Sequence, residues 1–136
     1  MSTGRRRIAS PSPFEARVGY SRALAVGDRI LVSGTAPVDG DGNTIAPGDL
    51  YAQTRYCLEK IIAALRALDA RPSDIVRTRV MLTDIDRWEE AARAHGEIFA
   101  DIRPACSFIG VARLIDPGWL VEIEAEAVCD AAAAQD

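Results

Sequence analysis

The sequence predicts one α+β domain: a single mixed sheet with two helices on one face, in the order β-β-α-β-α-β-β. Three observations carry this. The chain has 136 residues and is 49% hydrophobic, enough for one core and too short for two. Apolar residues recur at helical spacing in two stretches and alternate with polar ones in the strand segments. Strands separated by helices need crossover connections, which place both helices on the same side of the sheet. The opposite sheet face is therefore bare in a single copy of the chain. A site closed between two domains of one chain is excluded, so a cleft site calls for a second copy.

The elements follow in order. Residues 1–18 read as an arm, basic and then Ser/Pro-rich, with a short strand near Arg6–Ala9; the domain proper spans 19–129. Strands are expected at Arg22–Val26 and Arg29–Ser33, joined by the Gly27-Asp28 turn. Pro37–Gly48 is a loop with room for a small hairpin. A helix runs from Leu50 to Leu68, with Asp49 as N-cap, Gln53 as its capping partner and Arg71-Pro72 as the stop. Its stripe is Cys57, Leu58, Ile61, Ile62, Leu65 and Leu68. Ile75–Leu82 alternates as a strand, with Val76, Thr78, Val80 and Leu82 on one face. Asp84 or Asp86 caps a second helix, Arg87–Phe99, whose stripe is Trp88, Ala91, Ala92, His95 and Phe99. Strands Cys106–Leu114 and Leu120–Val128 close the domain around the Asp116-Pro117-Gly118 turn. Residues 130–136 read as a frayed tail.

Charge and composition exclude several functions. The net charge is −4, which disfavours nucleic-acid binding through a basic field. Lys60 is the only lysine and is expected on the helix surface, so Schiff-base chemistry has no candidate. Cys57, Cys106 and Cys129 form neither a Cys-x-x-Cys pair nor an even set, which excludes a disulfide framework and a zinc signature. His95 has no second histidine to share a metal, and no cofactor is expected. Arg5-Arg6-Arg7 is followed by Ile8-Ala9-Ser10-Pro11, not by an apolar signal segment, and no run reaches membrane-spanning length. A soluble cytoplasmic protein is expected, with no membrane partner.

The last strand carries the chemistry. In Leu120–Val128, Val121, Ile123, Ala125 and Ala127 fall on the helix side, while Glu122, Glu124 and Glu126 share the bare face. Two uses fit this pattern. One is a solvated face with cross-strand ion pairs to Arg77, Arg79 and Arg113, each worth ~0.2–1 kcal/mol. The other is a partly buried face on which one glutamate is a general base.

A family resemblance bears on that choice. Gly19-Tyr20-Ser21-Arg22-Ala23, Val26-Gly27-Asp28, Val32-Ser33-Gly34-Thr35, Gln53-Thr54 and Val76-x-Thr78 resemble segments of the RidA/YjgF family of reactive-intermediate deaminases. So do Pro104-Ala105, Val111-Ala112-Arg113-Leu114 and Val121-Glu122-Ile123-Glu124-Ala125. The resemblance implies a fold similar to Bacillus chorismate mutase. It also implies a homotrimer with a barrel-like core and small-molecule sites in the clefts between subunits. Archetypal members hydrolyse enamines and imines such as 2-aminoacrylate to 2-oxo acids and ammonia without a cofactor. By resemblance Tyr20 lines the pocket, Ser33 and Gly34 contribute backbone contacts, and Glu122 orients the attacking water.

One departure stands out. The family's arginine for the substrate carboxylate lies in Pro-Ala-Arg-Ser, and here that segment reads Pro104-Ala105-Cys106-Ser107-Phe108. A guanidinium grips a carboxylate through two parallel charged hydrogen bonds, whereas a thiol is one weak donor. The loss is about 1.5–3 kcal/mol or more. Standard 2-aminoacrylate hydrolysis is therefore expected to be weak or absent, unless Arg113 or an arginine of a neighbouring subunit stands in. Cys106 as a nucleophile would need a nearby base, and His95 is expected on the outer helix, away from the cleft. The leading expectation is a RidA-like hydrolase of altered substrate range. The alternative is a non-catalytic, metabolite-binding or chaperone-like trimer.

Overall fold

The computed structural model describes residues 4–129; the expected tail at 130–136 lies outside the described residues. The elements are β1 (Arg5–Ile8), β2 (Ala23–Val26), β3 (Arg29–Thr35), α1 (Leu50–Ala67), β4 (Ile75–Leu82), α2 (Trp88–Phe99), β5 (Ala105–Gly110) and β6 (Val121–Val128). They build one sheet in the order β1-β2-β3-β6-β4-β5. β4 and β5 run parallel, and every other pair is antiparallel. The arm strand thus becomes the edge of the sheet. The last strand is inserted between β3 and β4, so its side chains sit at the middle of both faces.

The hairpin β2–β3 forms as its turn chemistry requires, with Gly27 at φ +60. The α1 N-cap is Asp49, whose carboxylate accepts the Ala52 amide at 3.0 Å. Both helices cover one sheet face. Leu58, Ile61 and Leu65 of α1 bury against Val121, Ile123, Ala125 and Ala127 of β6 in a single core. Removing a side chain of this size from water is worth about 1.5–3 kcal/mol. The loop 37–48 carries a small bridge between Val38 and Thr44.

Five expectations need correction. β5 ends at Gly110, not Leu114, because it pairs only with β4, and β4 stops at Leu82; Val111 adds one last amide bond to Leu82. Arg113 consequently lies in the loop that follows, exposed and off the sheet face. Val76 is 45% exposed because the register shifts between Ile75 and Arg77, and a bulge rotates the intervening side chain outwards. Gln53 is not a capping partner: fully buried, it donates to Ile45, Ala46 and Gly118 carbonyls and accepts the Leu120 amide. Lys60 is not a surface lysine. Its Nζ donates to the Ala36 and Val38 carbonyls at 3.2 and 3.0 Å, and burial pushes its pKa down. Finally, Asp84 caps a short turn, Ile85–Arg87, that precedes α2, so the helix begins at Trp88.

Candidate functional site

The bare face is the place to look, since the helices fill the other. β6 presents Glu122, Glu124 and Glu126 there, and β4 presents arginines beside them. Arg79 Nη1 lies 2.5 Å from Glu124 Oε1. Arg77 Nε lies 3.7 Å from Glu126 Oε2, and Arg29 Nη2 lies 3.4 Å from Glu126 Oε1. Two of the three glutamates are thereby neutralised across strands, as the alternation predicts. Arg113, sent into the loop, takes no part.

Glu122 differs. Its neighbour on β4 is Met81, which offers no charge. On its other side β3 is irregular, with the register shifting between Val32 and Thr35. That bulge carries Gly34 up against the Glu122 carboxylate, and a Cβ at position 34 would collide with it. Glycine leaves the carboxylate in this position; a larger residue would have to push the end of the Glu122 side chain aside. The carboxylate is half-buried. Burial raises its pKa above the usual carboxylate range, the Arg22 guanidinium pulls the other way, and Glu124 adds to the rise. A half-buried carboxylate with a raised pKa, one cation and an open backbone beside it is suited to taking a proton from water.

Arg22 was not among the candidates, yet it completes this group. Its Nη2 donates to the Gly34 carbonyl at 2.6 Å. The signal was available: a hairpin turning on Gly27-Asp28 sets Arg22 opposite Ser33, and the Ser33 amide does donate to the Arg22 carbonyl. Ser33 Oγ in turn donates to the Ser21 carbonyl at 2.7 Å. Ser33 also borders an open groove of about 380 Å³, shared with Tyr20, Ser21 and Arg7. The structure therefore brings Tyr20 and Ser33 together in the groove, and Gly34 and Glu122 together beyond it.

Cys106 is not brought to Glu122 within one chain. Phe108 of the same strand stacks near Trp88 and His95 of α2, with ring centroids 6.1 and 6.0 Å away. Strand alternation puts Cys106 on that same helix side, at the open edge of the sheet. His95 is half-buried, its Nε2 2.8 Å from Thr78 Oγ1, and burial lowers its pKa. Cys57 is fully buried, and desolvation drives its thiol pKa far up, which leaves it inert. Among the described residues no group of three or more His, Cys, Asp or Glu side chains is arranged to hold a metal ion. Among the described residues no helix is long and apolar enough to cross a membrane.

Comparison with known proteins places this geometry. Residues 10–129 match the family model described as Endoribonuclease L-PSP. An uncharacterized protein of Streptomyces coelicolor is 36% identical over 122 residues, 90% of each chain. A RutC family protein of Pyrococcus abyssi is 34% identical over 106 residues, which is 78% of this chain and 83% of the relative. Among solved structures, a Mycobacterium tuberculosis member of the YjgF/YER057c/UK114 family superposes with a TM-score of 0.82. It is 45% identical, and the match covers 91% of this chain and 98% of that one. The YjgF gene product of E. coli superposes with a TM-score of 0.77 at 29% identity, covering 94% and 98%.

Proposed function

This chain belongs to the RidA/YjgF family, and from that membership and the Glu122 site we propose that it hydrolyses a reactive enamine or imine. The observation that carries the reading is the isolation of Glu122. Of three glutamates on one strand face, it has no arginine from β4 beside it, is half-buried, and meets bare backbone at Gly34. In the proposed reaction an enamine first tautomerises to its imine. Glu122 takes a proton from water as the water oxygen bonds to the imine carbon. The C–N bond then breaks, nitrogen leaves as ammonia after protonation, and a carbonyl remains. Tyr20 and Ser33 line the approach, with Gly34 offering backbone contact.

The working unit of this proposal is a homotrimer acting in the cytoplasm, with the site shared between subunits. The bare face supports association: Leu31 and Ile109 are 42% and 37% exposed on it, among paired charges. A second subunit is also what could bring Cys106, stranded on a sheet edge, towards a site. Substrate range differs from that of archetypal members because Cys106 cannot grip a carboxylate as arginine does. RNA cleavage, which the family model's description names, is disfavoured by the net charge of −4 and by the pairing of Arg29, Arg77 and Arg79 with glutamates.

The test is ammonia and carbonyl release from freshly generated 2-aminoacrylate and from imines without a carboxylate, in wild type and Glu122→Gln. Turnover of the neutral imines that Glu122→Gln abolishes supports the proposal. Turnover identical in both proteins, or absent from every imine tried, leaves a binding module as the better account. Light scattering that reports a monomer at assay concentration removes the shared cleft.

A further inference from the structure

We propose that Arg22 is a positioning residue for the Glu122 site: it fixes the Ser33–Gly34 bulge against the carboxylate and keeps a cation next to it. This rests on the reading of Glu122 as the water-activating group. The argument begins with the backbone. The Arg22 amide donates to the Ile8 carbonyl at 2.8 Å, and its own carbonyl accepts the Ser33 amide at 3.1 Å. The residue is therefore pinned between β1 and β3 before its side chain is considered. That side chain then reaches one residue past Ser33 and donates Nη2 to the Gly34 carbonyl at 2.6 Å. Gly34 is consequently held by Arg22 at its carbonyl, while the Glu122 carboxylate occupies the space where a side chain at position 34 would begin.

The placement is costly, which argues for a role. Arg22 Nε is buried and has no hydrogen-bond partner among the described residues. An orphaned buried donor is unfavourable, and a shorter neutral side chain would avoid it. The surroundings are not those of an ordinary ion pair either. The guanidinium also faces Lys60 of α1, whose like charge it opposes. The groups whose charge acts on Glu122 or is acted on by it are Arg22 before β2, Glu124 on its own strand and Cys57 of α1. Cys57 stays protonated and Glu124 is occupied by Arg79, so Arg22 is the group among these that offsets the burial of Glu122. Loss of the guanidinium thus removes two things at once: the hold on Gly34 and the attraction that favours the ionised carboxylate.

Substitution tests both effects. Arg22→Gln carries no charge, and its amide ends two bonds short of Nη2, so the bond to the Gly34 carbonyl goes as well. Arg22→Lys keeps the charge and a donor only one bond short of that reach. The readout is the NMR titration of the Glu122 side-chain carboxyl, which needs no substrate. The Glu122 midpoint is expected to rise in Arg22→Gln and to stay near wild type in Arg22→Lys. The Gly34 amide resonance moves most in Arg22→Gln, which loses the bond to the Gly34 carbonyl. With a substrate in hand, the acid limb of the kcat/KM profile follows the same order. A Glu122 midpoint unchanged in a folded Arg22→Gln protein overturns the proposal, as does a Gly34 resonance unmoved in that variant. Should Arg22→Gln not fold, Arg22→Met takes its place with the same expected rise. Failure of the hydrolase reading looks different: turnover insensitive to Glu122→Gln while the Arg22–Glu122 coupling persists.

Discussion

Glu122 and Glu124 stand two residues apart on one strand, on one face, and yet they do different things. Glu124 meets Arg79 at 2.5 Å and is an exposed ion pair. Glu122 meets Met81 across β4 and Gly34 across β3, so it has lost part of its water and gained no partner from β4. The strand treats both alike; their neighbours do not. The difference traces to both flanking strands: β4 offers Met81 where Glu124 has Arg79, and the irregularity in β3 between Val32 and Thr35 brings Gly34 beside the carboxylate. An uncharged neighbour and a bulge next to a carboxylate thus turn one position of a repeating pattern into a candidate site.

The largest expected effect breaks this comparison directly. Glu122→Gln should lower hydrolytic turnover of a competent imine by ~10²–10⁴-fold, the usual contribution of a general base. Glu124→Gln and Glu126→Gln should stay within about threefold once the state of assembly is matched. Comparable losses at all three positions would mean that the face acts as a charge field and that Glu122 has no special role. Next in size is Cys106→Arg. A restored charged hydrogen bond of about 1.5–3 kcal/mol corresponds to roughly 10- to 100-fold in kcat/KM for 2-aminoacrylate. Assay of that variant with a neutral imine in parallel should show no such gain.

Gly34→Ala probes the close approach itself. The added methyl must displace the end of the Glu122 side chain, so turnover should fall while stability by thermal or denaturant unfolding changes little. Gly34→Ala in a Glu122→Gln background should regain none of the turnover, since the base is gone. A pH dependence accompanies this. A carboxylate with a raised native pKa favours the folded state at pH below its unfolded value near 4.5, and that contribution is lost as pH rises through the native pKa. Glu122→Gln should therefore unfold at a higher temperature than wild type at pH 7, with the gap closing at pH 4.

Much of this was legible in the sequence. Apolar alternation gave β6 its two faces, and turn and cap residues placed β2, β3 and α1 within a residue or two. The strand end at Gly110 was not legible, because it depends on where the parallel partner β4 stops, and no local residue announces that. The burial of Lys60 and Gln53 was hidden for a related reason. Both bond carbonyls of loop residues whose path is set by tertiary packing. Arg22 is the instructive case: the hairpin register pointed to Ser33, but the bond from the guanidinium to the Gly34 carbonyl falls where the β3 register is irregular, and no local residue announces that irregularity.

The smallest expected effect sharpens the comparison from its other side. The Arg79–Glu124 pair has side chains about two-fifths exposed in one chain, and such a pair is worth ~0.2–1 kcal/mol and weakens with salt. A double-mutant cycle of Arg79→Met and Glu124→Gln, read by chemical denaturation at low protein concentration, should return a coupling in that range. If the bare faces meet in an assembly, the same pair is desolvated there, and its loss exposes a buried unpaired charge. The coupling should then grow with protein concentration and resist salt. A small, salt-sensitive coupling at every concentration would place the pair in water, and with it the whole face on which Glu122 is supposed to be shared between subunits.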